Sequence, residues 1–458
     1  MAEPTIDSLP NPIWQRTDAT RLGQLKLDSF VFYSVPWVAT LSCVHGLDFG
    51  PMRHTGLLWL LTLFLCLPIL LLKTGRRITF PWYLWAPLYM HLGLSLFWSD
   101  FSPSYNIQLY VQMTVYFAVG MVASLAVRSE EDLEPLNRSY LICLAAIGAA
   151  WFYYTHGPGK GMGVDQADES LYVGFASRVA AMSLIVVAAV FLAQIRRFKS
   201  WSVVIWFSCF AIALFSGSRG VTLVILLLWL IHPQLARPST RIAMALLTML
   251  IGLAAFNTSV IQDRFFQKDS GFRGKGTIQD VLQGKFDSAG RFDSWPKILE
   301  ASREQPWFGH GVGQSIPFVY RVWAPMDKPH NEFLKMYYDG GLIAMWLYIF
   351  ALLGTLVNLW WVMRVSAPGT NWAASAAFMG MVGFLLLSFV DNPLVCGNNF
   401  LHPVFALVGA ANAVAARQRS EASFPRGERL ETDATTIHMT AGPAPVTVDS
   451  FPEPIALR

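Results

Sequence analysis

The sequence predicts an all-α polytopic membrane protein: about twelve transmembrane helices and one large outer loop that itself carries short helices. Three observations predict it. Of its 458 residues, 54% are hydrophobic and only 14% charged, whereas a soluble domain holds about a quarter charged residues. The apolar residues collect in runs of about 20, the length at which a helix crosses a hydrocarbon core with every backbone group bonded. Lysine and arginine are dense in alternate connections between those runs and sparse in the others.

The runs lie at 29–47, 56–73, 80–98, 107–127, 138–156, 177–195, 201–217, 220–234, 242–259, 338–363, 373–390 and 399–416. With residues 1–28 inside, the even loops hold Lys73, Arg76 and Arg77; Arg128 and Arg138; Arg196, Arg197 and Lys199; Arg237 and Arg241; and Arg364. The odd short loops hold only Arg53, Lys160, Arg178 and Arg219. Positive charge marks the inner side, so both termini are expected in the cytoplasm. The expected order is a cytoplasmic segment 1–28, spans one to nine over 29–259, an outer loop 260–337, spans ten to twelve over 338–416, and a tail 417–458. The tail holds Pro, Thr, Ser and Glu without apolar periodicity, and is expected to be disordered and cytoplasmic. No apolar core followed by a small-residue cleavage site opens the chain, so a cleavable signal peptide is not expected.

The net charge of +4 gives no reason to expect nucleic acid as a partner. Cys43, Cys66, Cys143, Cys209 and Cys396 are scattered without any CxxC, and read as small buried hydrophobes. The outer loop is too short and too rich in Gly and Lys for a core of its own. Its stretches GTIQDVLQGK and SWPKILEASREQ read as short helices, the second with Trp295, Ile298 and Leu299 on one side. A lid over the helical bundle is therefore expected.

Ionisable residues at the outer ends of spans carry the functional argument, because burying them near lipid is expensive. In FSGSRGVTL (215–223), Ser218 and Arg219 sit between Gly217 and Gly220, where a helix begins with exposed N–H groups. Arginine at a helix start is suited to an anion; the alternative is an arginine reaching lipid phosphate. In SAGRFDSWP (288–296), Arg291 alone reads as a solvated residue and gains weight only from its companions. Arg178, in ASRVAAM (176–182), reads equally as a ligand for an anion or as an arginine snorkelling to the interface. KPHNEFLKMYYDGG (328–341) brings His330 and Asn331 to the start of the tenth span, with His330 expected on one helical face with Leu334 and Tyr337. Histidine titrates where a base must work, so His330 reads as a base or as a structural cap. Asp391, in FVDNP, stands at the outer end of the eleventh span, either as a helix-end group or as a partner for His330 or an arginine. The loop's histidines are His310 and His330, without HxxxH, HExxH or DxD, so no metal is expected.

Arginines that match phosphate oxygens, beside a histidine able to take a hydroxyl proton, suit transfer from a lipid-linked pyrophosphate. These landmarks resemble those of bacterial O-antigen ligases, in a superfamily with O-antigen polymerases and protein O-oligosaccharyltransferases. They are the span pattern with one large late outer loop, His330-Asn331 followed by Gly341, SGSRG (216–220), Gly-Arg at 290–291 and PWFGHGVG (306–313). Where the ligase pattern tends to continue with Gly, Thr or Tyr, this chain has Ala344. The resemblance covers about residues 30–415 and implies a GT-C-like, metal-independent, inverting glycosyltransferase without a cofactor at the periplasmic face of the inner membrane. The donor it implies is O-antigen on undecaprenyl pyrophosphate, and the acceptor a sugar hydroxyl of lipid A-core. It gives His330 the role of base and Arg219 and Arg291 that of holding pyrophosphate, with Arg178, Asp391, Asn331 and Ser218 as supporting candidates. Entry of two lipid-anchored substrates implies a lateral opening beneath the lid.

A polymerase of the same superfamily is the nearest alternative, but the only R-x10-G match in an outer loop is Arg273 to Gly284, and the loop 157–176 is short. A transporter of lipid-linked sugars would place broken helices and charges near the midplane, usually within internal repeats. No such repeat is evident here.

Overall fold

A computed structural model describes residues 18–45, 48–49, 52–73, 77–100, 103–156, 174–175, 177–233, 238–259, 262, 266, 276–283, 290–322, 328–366 and 371–423. The helices are α1 (Asp18–Leu41), α2 (His54–Leu72), α3 (Trp82–Ser95), α4 (Pro103–Ala126), α5 (Glu134–His156), α6 (Ser177–Ala193), α7 (Ile195–Phe198), α8 (Ser200–Phe215), α9 (Arg219–Leu227) and α10 (Pro238–Phe256). They continue as α11 (Ile278–Leu282), α12 (Arg291–Ser302), α13 (Ser315–Val322), α14 (Glu332–Val365), α15 (Trp372–Ser388), α16 (Pro393–Cys396) and α17 (Asn398–Ser423). The only strands among the described residues are two-residue pairs, Val44–His45 with Gly174–Phe175 and Asp48–Phe49 with Met52–Arg53.

Every predicted apolar run contains a helix. Among the described residues, five helices are long and apolar enough to cross a membrane, within α2, α4, α10, α14 and α17, and α1, α6, α8 and α15 carry shorter apolar stretches. The protein is thus a helical, multi-pass membrane protein. The stretch 220–234 is shorter than a span, because α9 ends at Leu227 and the chain tightens into turns. Buried His232 fastens those turns by a 2.8 Å hydrogen bond to the Leu192 carbonyl. Helices extend past both expected ends: α1 begins at Asp18, and α17 continues through the helix-favouring Ala, Arg, Gln and Glu residues to Ser423. Residues 1–17 and 424–458, Arg273, Gly284 and 157–173 lie outside the described residues. Residues through Gln418 form one compact unit that includes the described part of 260–337. Of the second unit, 419–458, only Arg419–Ser423 are described, and they are helical.

Helix α6 is apolar and buried around its whole circumference from Ala180 to Ala193, as a bundle's central helix must be. Helices α2 and α10 leave Leu57, Leu61, Phe64, Ile242, Leu246 and Leu250 exposed, as expected of helices that face lipid. Small residues bring neighbours together. A Cβ on Gly409 of α17 would fall 2.0 Å from the Gly120 carbonyl oxygen of α4, so these backbones touch.

The helix ends sort into two sets. At one end, the Asp28–Lys73 ion pair, the Asn137–Gln194 amide pair and the bond from Asn371 to the Ala411 carbonyl gather the connections rich in Lys and Arg. At the other, Ser95 at the end of α3 and Ser99 just beyond it bond Val312, Asn106 of α4 bonds Ser99, and Gln112 of α4 bonds Asn398 of α17 and the Val395 carbonyl of α16. From Asn106 to Ala126, α4 rises about 30 Å, one hydrocarbon thickness.

Helix α14 is continuous except at Gly341, whose φ of 71° and ψ of −171° break it into a short arm, 332–340, and a long arm of about 36 Å, 342–365. The short arm buries three charges: Glu332, Lys335 and Asp339 are each at most 1% exposed. Lys335 Nζ lies 2.9 Å from Asp339 Oδ2, and the Asp339 carboxylate also accepts from the backbone N–H groups of Gly313 (3.1 Å) and Ser315 (2.7 Å). The predicted landmarks PWFGHGVG and the glycine pair 340–341 therefore interlock. His310 and Gly311 donate to the Tyr338 and Asp339 carbonyls at 2.9 and 2.8 Å, and Leu342 donates to the Pro306 carbonyl at 2.8 Å. A Cβ on Gly341 would lie 2.1 Å from the Trp307 carbonyl oxygen. Ala344 is fully buried directly beneath Gly340, where little space exists for a larger side chain.

Gly341→Ala is expected to be severely destabilising, by more than about 2 kcal/mol, because it combines a left-handed φ with a backbone collision. Gly148→Ala, in α5 with its nearest contact at 3.4 Å, is expected to be neutral or stabilising by up to about 1 kcal/mol. Thermal unfolding of the two purified variants in detergent measures the contrast.

Candidate functional site

The site forms where the short arm of α14 meets the turn between α15 and α16. His330 precedes the helix rather than lying on it, with a φ of 48°; this corrects the expected shared face with Leu334 and Tyr337. Asn331 is the N-cap, its side-chain oxygen accepting from Leu334 N–H at 3.0 Å, so the helical register begins one residue later. Successive residues then bind the facing turn. His330 N–H donates to Asn392 Oδ1 (2.6 Å), Asn331 Nδ2 donates to the Phe389 carbonyl (3.3 Å), and Glu332 Oε2 accepts from Leu394 N–H (3.1 Å).

The imidazole itself meets Asp391, with Nδ1 3.2 Å from Oδ1. A carboxylate only accepts, so Nδ1 is the donor and Nε2 carries the free lone pair of the neutral ring. Asp391 also accepts from Asn392 N–H at 2.8 Å. Burial resists ionisation of Asp391, but the His330 hydrogen bond and charge, the Asn392 N–H and the Arg291 charge outweigh it and hold the carboxyl below its ordinary range. Of the roles open to Asp391 from sequence, the pair with His330 is the one its contacts display.

Arg291 reaches this neighbourhood because Gly290, at a φ of 74°, turns the chain into α12, leaving Arg291 as its first residue. One turn on, Trp295 Nε1 donates to the Pro329 carbonyl at 2.7 Å, docking α12 against the residue before His330. The buried face of α12 is Ser294, Ile298, Ala301 and Ser302; Leu299, expected beside Ile298, is exposed because it lies a full residue off that stripe.

Arg219 opens α9, and Ser218 stands at its N-cap position without a side-chain capping bond. The next residue, Gly220, faces the end of α15, where a Cβ would meet Val390 at 3.3 Å and Leu387 at 3.4 Å. The start of α9 therefore abuts the turn that holds Asp391. Arg178 is in the first turn of α6, but its side chain lies outside the described residues.

Sequence reasoning missed Asn392, Trp295 and Glu332 as positioning groups. The adjacent Asp391-Asn392 before Pro393 was the available signal, since two polar side chains before a proline-led helix are suited to reach a neighbour. Among the described residues, no group of three or more His, Cys, Asp or Glu side chains is arranged to hold a metal ion.

A depressed Asp391 pKa stabilises the fold above the unfolded carboxyl value, about pH 3.9. That contribution fades as pH falls toward the lower folded value. Asp391→Asn is expected to flatten the loss of thermal stability below about pH 4, measured as Tm against pH; parallel wild-type and variant curves would refute it.

No curated protein matches the chain. Residues 203–349, from within α8 through the kink at Gly341, match the family described as O-antigen ligase. The matched segment contains Arg219, Arg291 and His330, while Asp391 lies beyond it. Over this segment the chain is similar to the O-antigen ligase family.

Proposed function

We propose that this protein is an O-antigen ligase, transferring polysaccharide from undecaprenyl pyrophosphate to a sugar hydroxyl of lipid A-core. The observation that carries the reading is the 3.2 Å His330–Asp391 pair with Arg291 next to it, at the end of the bundle away from the Lys- and Arg-rich connections. The positive-inside rule makes that end periplasmic, in an inner-membrane protein that crosses about twelve times with both termini in the cytoplasm.

His330 Nε2 takes the proton of the acceptor hydroxyl while its oxygen attacks the anomeric carbon of the donor. The bond from that carbon to the pyrophosphate oxygen breaks on the opposite face, which inverts the configuration. Arg291 and Arg219 neutralise the charge gathering on the departing undecaprenyl pyrophosphate, whose tail stays in the bilayer. Arg178, at the start of α6, is a further candidate for the same anion. Asn331 and Asp391 act through position: one starts the helix, the other sets the imidazole tautomer. Nothing in this scheme requires a metal or a cofactor. Both substrates are lipid-anchored and reach the site through a lateral opening below the α12–α13 segment.

Lipopolysaccharide from a deletion strain tests the reading. A ligase loss leaves bare core and full-length polymer on its carrier, whereas core bearing one repeat identifies the family's polymerase activity. Unchanged lipopolysaccharide excludes both and leaves a transporter of lipid-linked sugar to be tested. Complementation with His330→Ala is expected to lower transfer by about 10²–10⁴-fold, and Arg291→Ala and Arg219→Ala to weaken it while the proteins remain folded.

A further inference from the structure

At the opposite end of the bundle a cavity of about 240 Å³ lies between the approach to α3, the end of α4 and the end of α17. Its polar lining is Arg77, Thr79, Ser124, Arg128 and Arg417, with no Asp or Glu among the lining residues. Several arginines around one concavity, with no acidic residue in the lining, make it attractive to an anion. Two of its groups are also unsatisfied. Among the described residues, neither Arg128 Nη2 nor Thr79 Oγ1, both buried, has a hydrogen-bond partner.

The cavity's walls are built rather than incidental. Phe80 packs against Gly120, where a Cβ would come within 2.5 Å of its ring, and Gly120 in turn touches Gly409. That wedge sets α4 and α17 close together one turn before Ser124 and Ala413, which line the pocket. Arg128 is held in place by its backbone, whose N–H donates to Asp132 Oδ2 at 2.7 Å, and the residue lines the pocket. Planar, permanently charged guanidinium groups with a nearby hydroxyl are the groups that bind phosphate oxygens well.

We propose that this pocket is a second anion site, which binds a phosphate group at the membrane surface opposite the His330 site. It is separate from the transfer chemistry and does not depend on the acceptor or donor assigned above. The phosphate is either that of an anionic phospholipid headgroup from the adjoining leaflet or a soluble phosphate from the facing compartment. Both offer the same oxyanion, and the lipid source gains from the negative surface potential of an inner leaflet.

The full-length protein in a neutral detergent at low ionic strength distinguishes the sources. Thermal unfolding is followed with dioctanoyl phosphatidylglycerol, dioctanoyl phosphatidylcholine and inorganic phosphate as probes. Phosphatidylglycerol is expected to raise Tm by about 2–5 °C, with phosphatidylcholine producing little change. Arg128→Gln and Arg77→Gln are each expected to cut that shift by at least half. A full shift with inorganic phosphate assigns the soluble anion, and a shift confined to phosphatidylglycerol assigns the lipid. The proposal fails if no anionic probe shifts the wild type, or if the variants keep the whole shift. Should Arg128→Gln not fold, Arg77→Gln and Thr79→Val carry the comparison, since neither removes a group bonded elsewhere among the described residues.

Discussion

The buried carboxylate of Asp339 is the constraint on which the His330 end of this molecule depends. A charge out of water must be paired and fully hydrogen-bonded, or the fold rearranges around it. Here Lys335 supplies the countercharge from one turn back, and the Gly313 and Ser315 N–H groups supply directed donors from another segment. The carboxylate therefore does two things together. It fixes the short arm of α14 against the 306–315 segment, and it caps the start of α13. With Gly341 pressed against the Trp307 carbonyl, the arm cannot slide along its partner. Everything placed by the arm, including Asn331 and His330, inherits that register.

The second consequence concerns the facing turn. The contacts of residues 330–332 with residues 389–394 are individually ordinary hydrogen bonds, each worth about 0.5–1.5 kcal/mol net. Their value lies in being consecutive. Each holds one residue of the arm to one side of the turn, so the imidazole is located by its neighbours as well as by Asp391. Helix α12 approaches from a third direction through Trp295, and α9 from a fourth through Gly220. Four elements from distant parts of the chain thus converge on one point, while the interior helices α6 and α17 hold their relative positions below.

Much of this was legible in the sequence, for reasons that differ by residue. The helical runs are a local signal, since each must bury or expose about 20 residues by itself. Arg219 and His330 were visible because ionisable groups at span ends stand out against an apolar background, whereas Arg291, within the loop, gained weight only from its companions. Three features were not settled there. The pairing of His330 with Asp391 was only one of the roles open to Asp391, because it joins residues 61 apart and no local pattern decides it. The burial of Glu332, Lys335 and Asp339 comes from distant segments, Leu394 meeting Glu332 and the Gly313 and Ser315 N–H groups meeting Asp339, which no local spacing announces. Finally, Gly340-Gly341 signals backbone freedom without saying whether it is used, so the tenth span was placed from 338 although the long arm starts after Gly341.

His330 itself is the point where folding and chemistry press against each other. A left-handed backbone in a residue with a Cβ costs about 1–2 kcal/mol, and His330 adopts it at a φ of 48°. A helical His330 would avoid that penalty, but its ring would then follow the face of Leu334 and point along the arm. The reversed backbone directs the ring across the gap to Asp391, 3.2 Å away, and turns its N–H toward Asn392. Asn331 makes the reversal sharp by starting the helix at the next residue, with its side chain replacing the lost helical acceptor for Leu334. Strain of this size persists only where the surroundings over-determine the conformation. The contacts from residues 330–332 supply that over-determination, which is why His330 sits just outside its helix instead of on it.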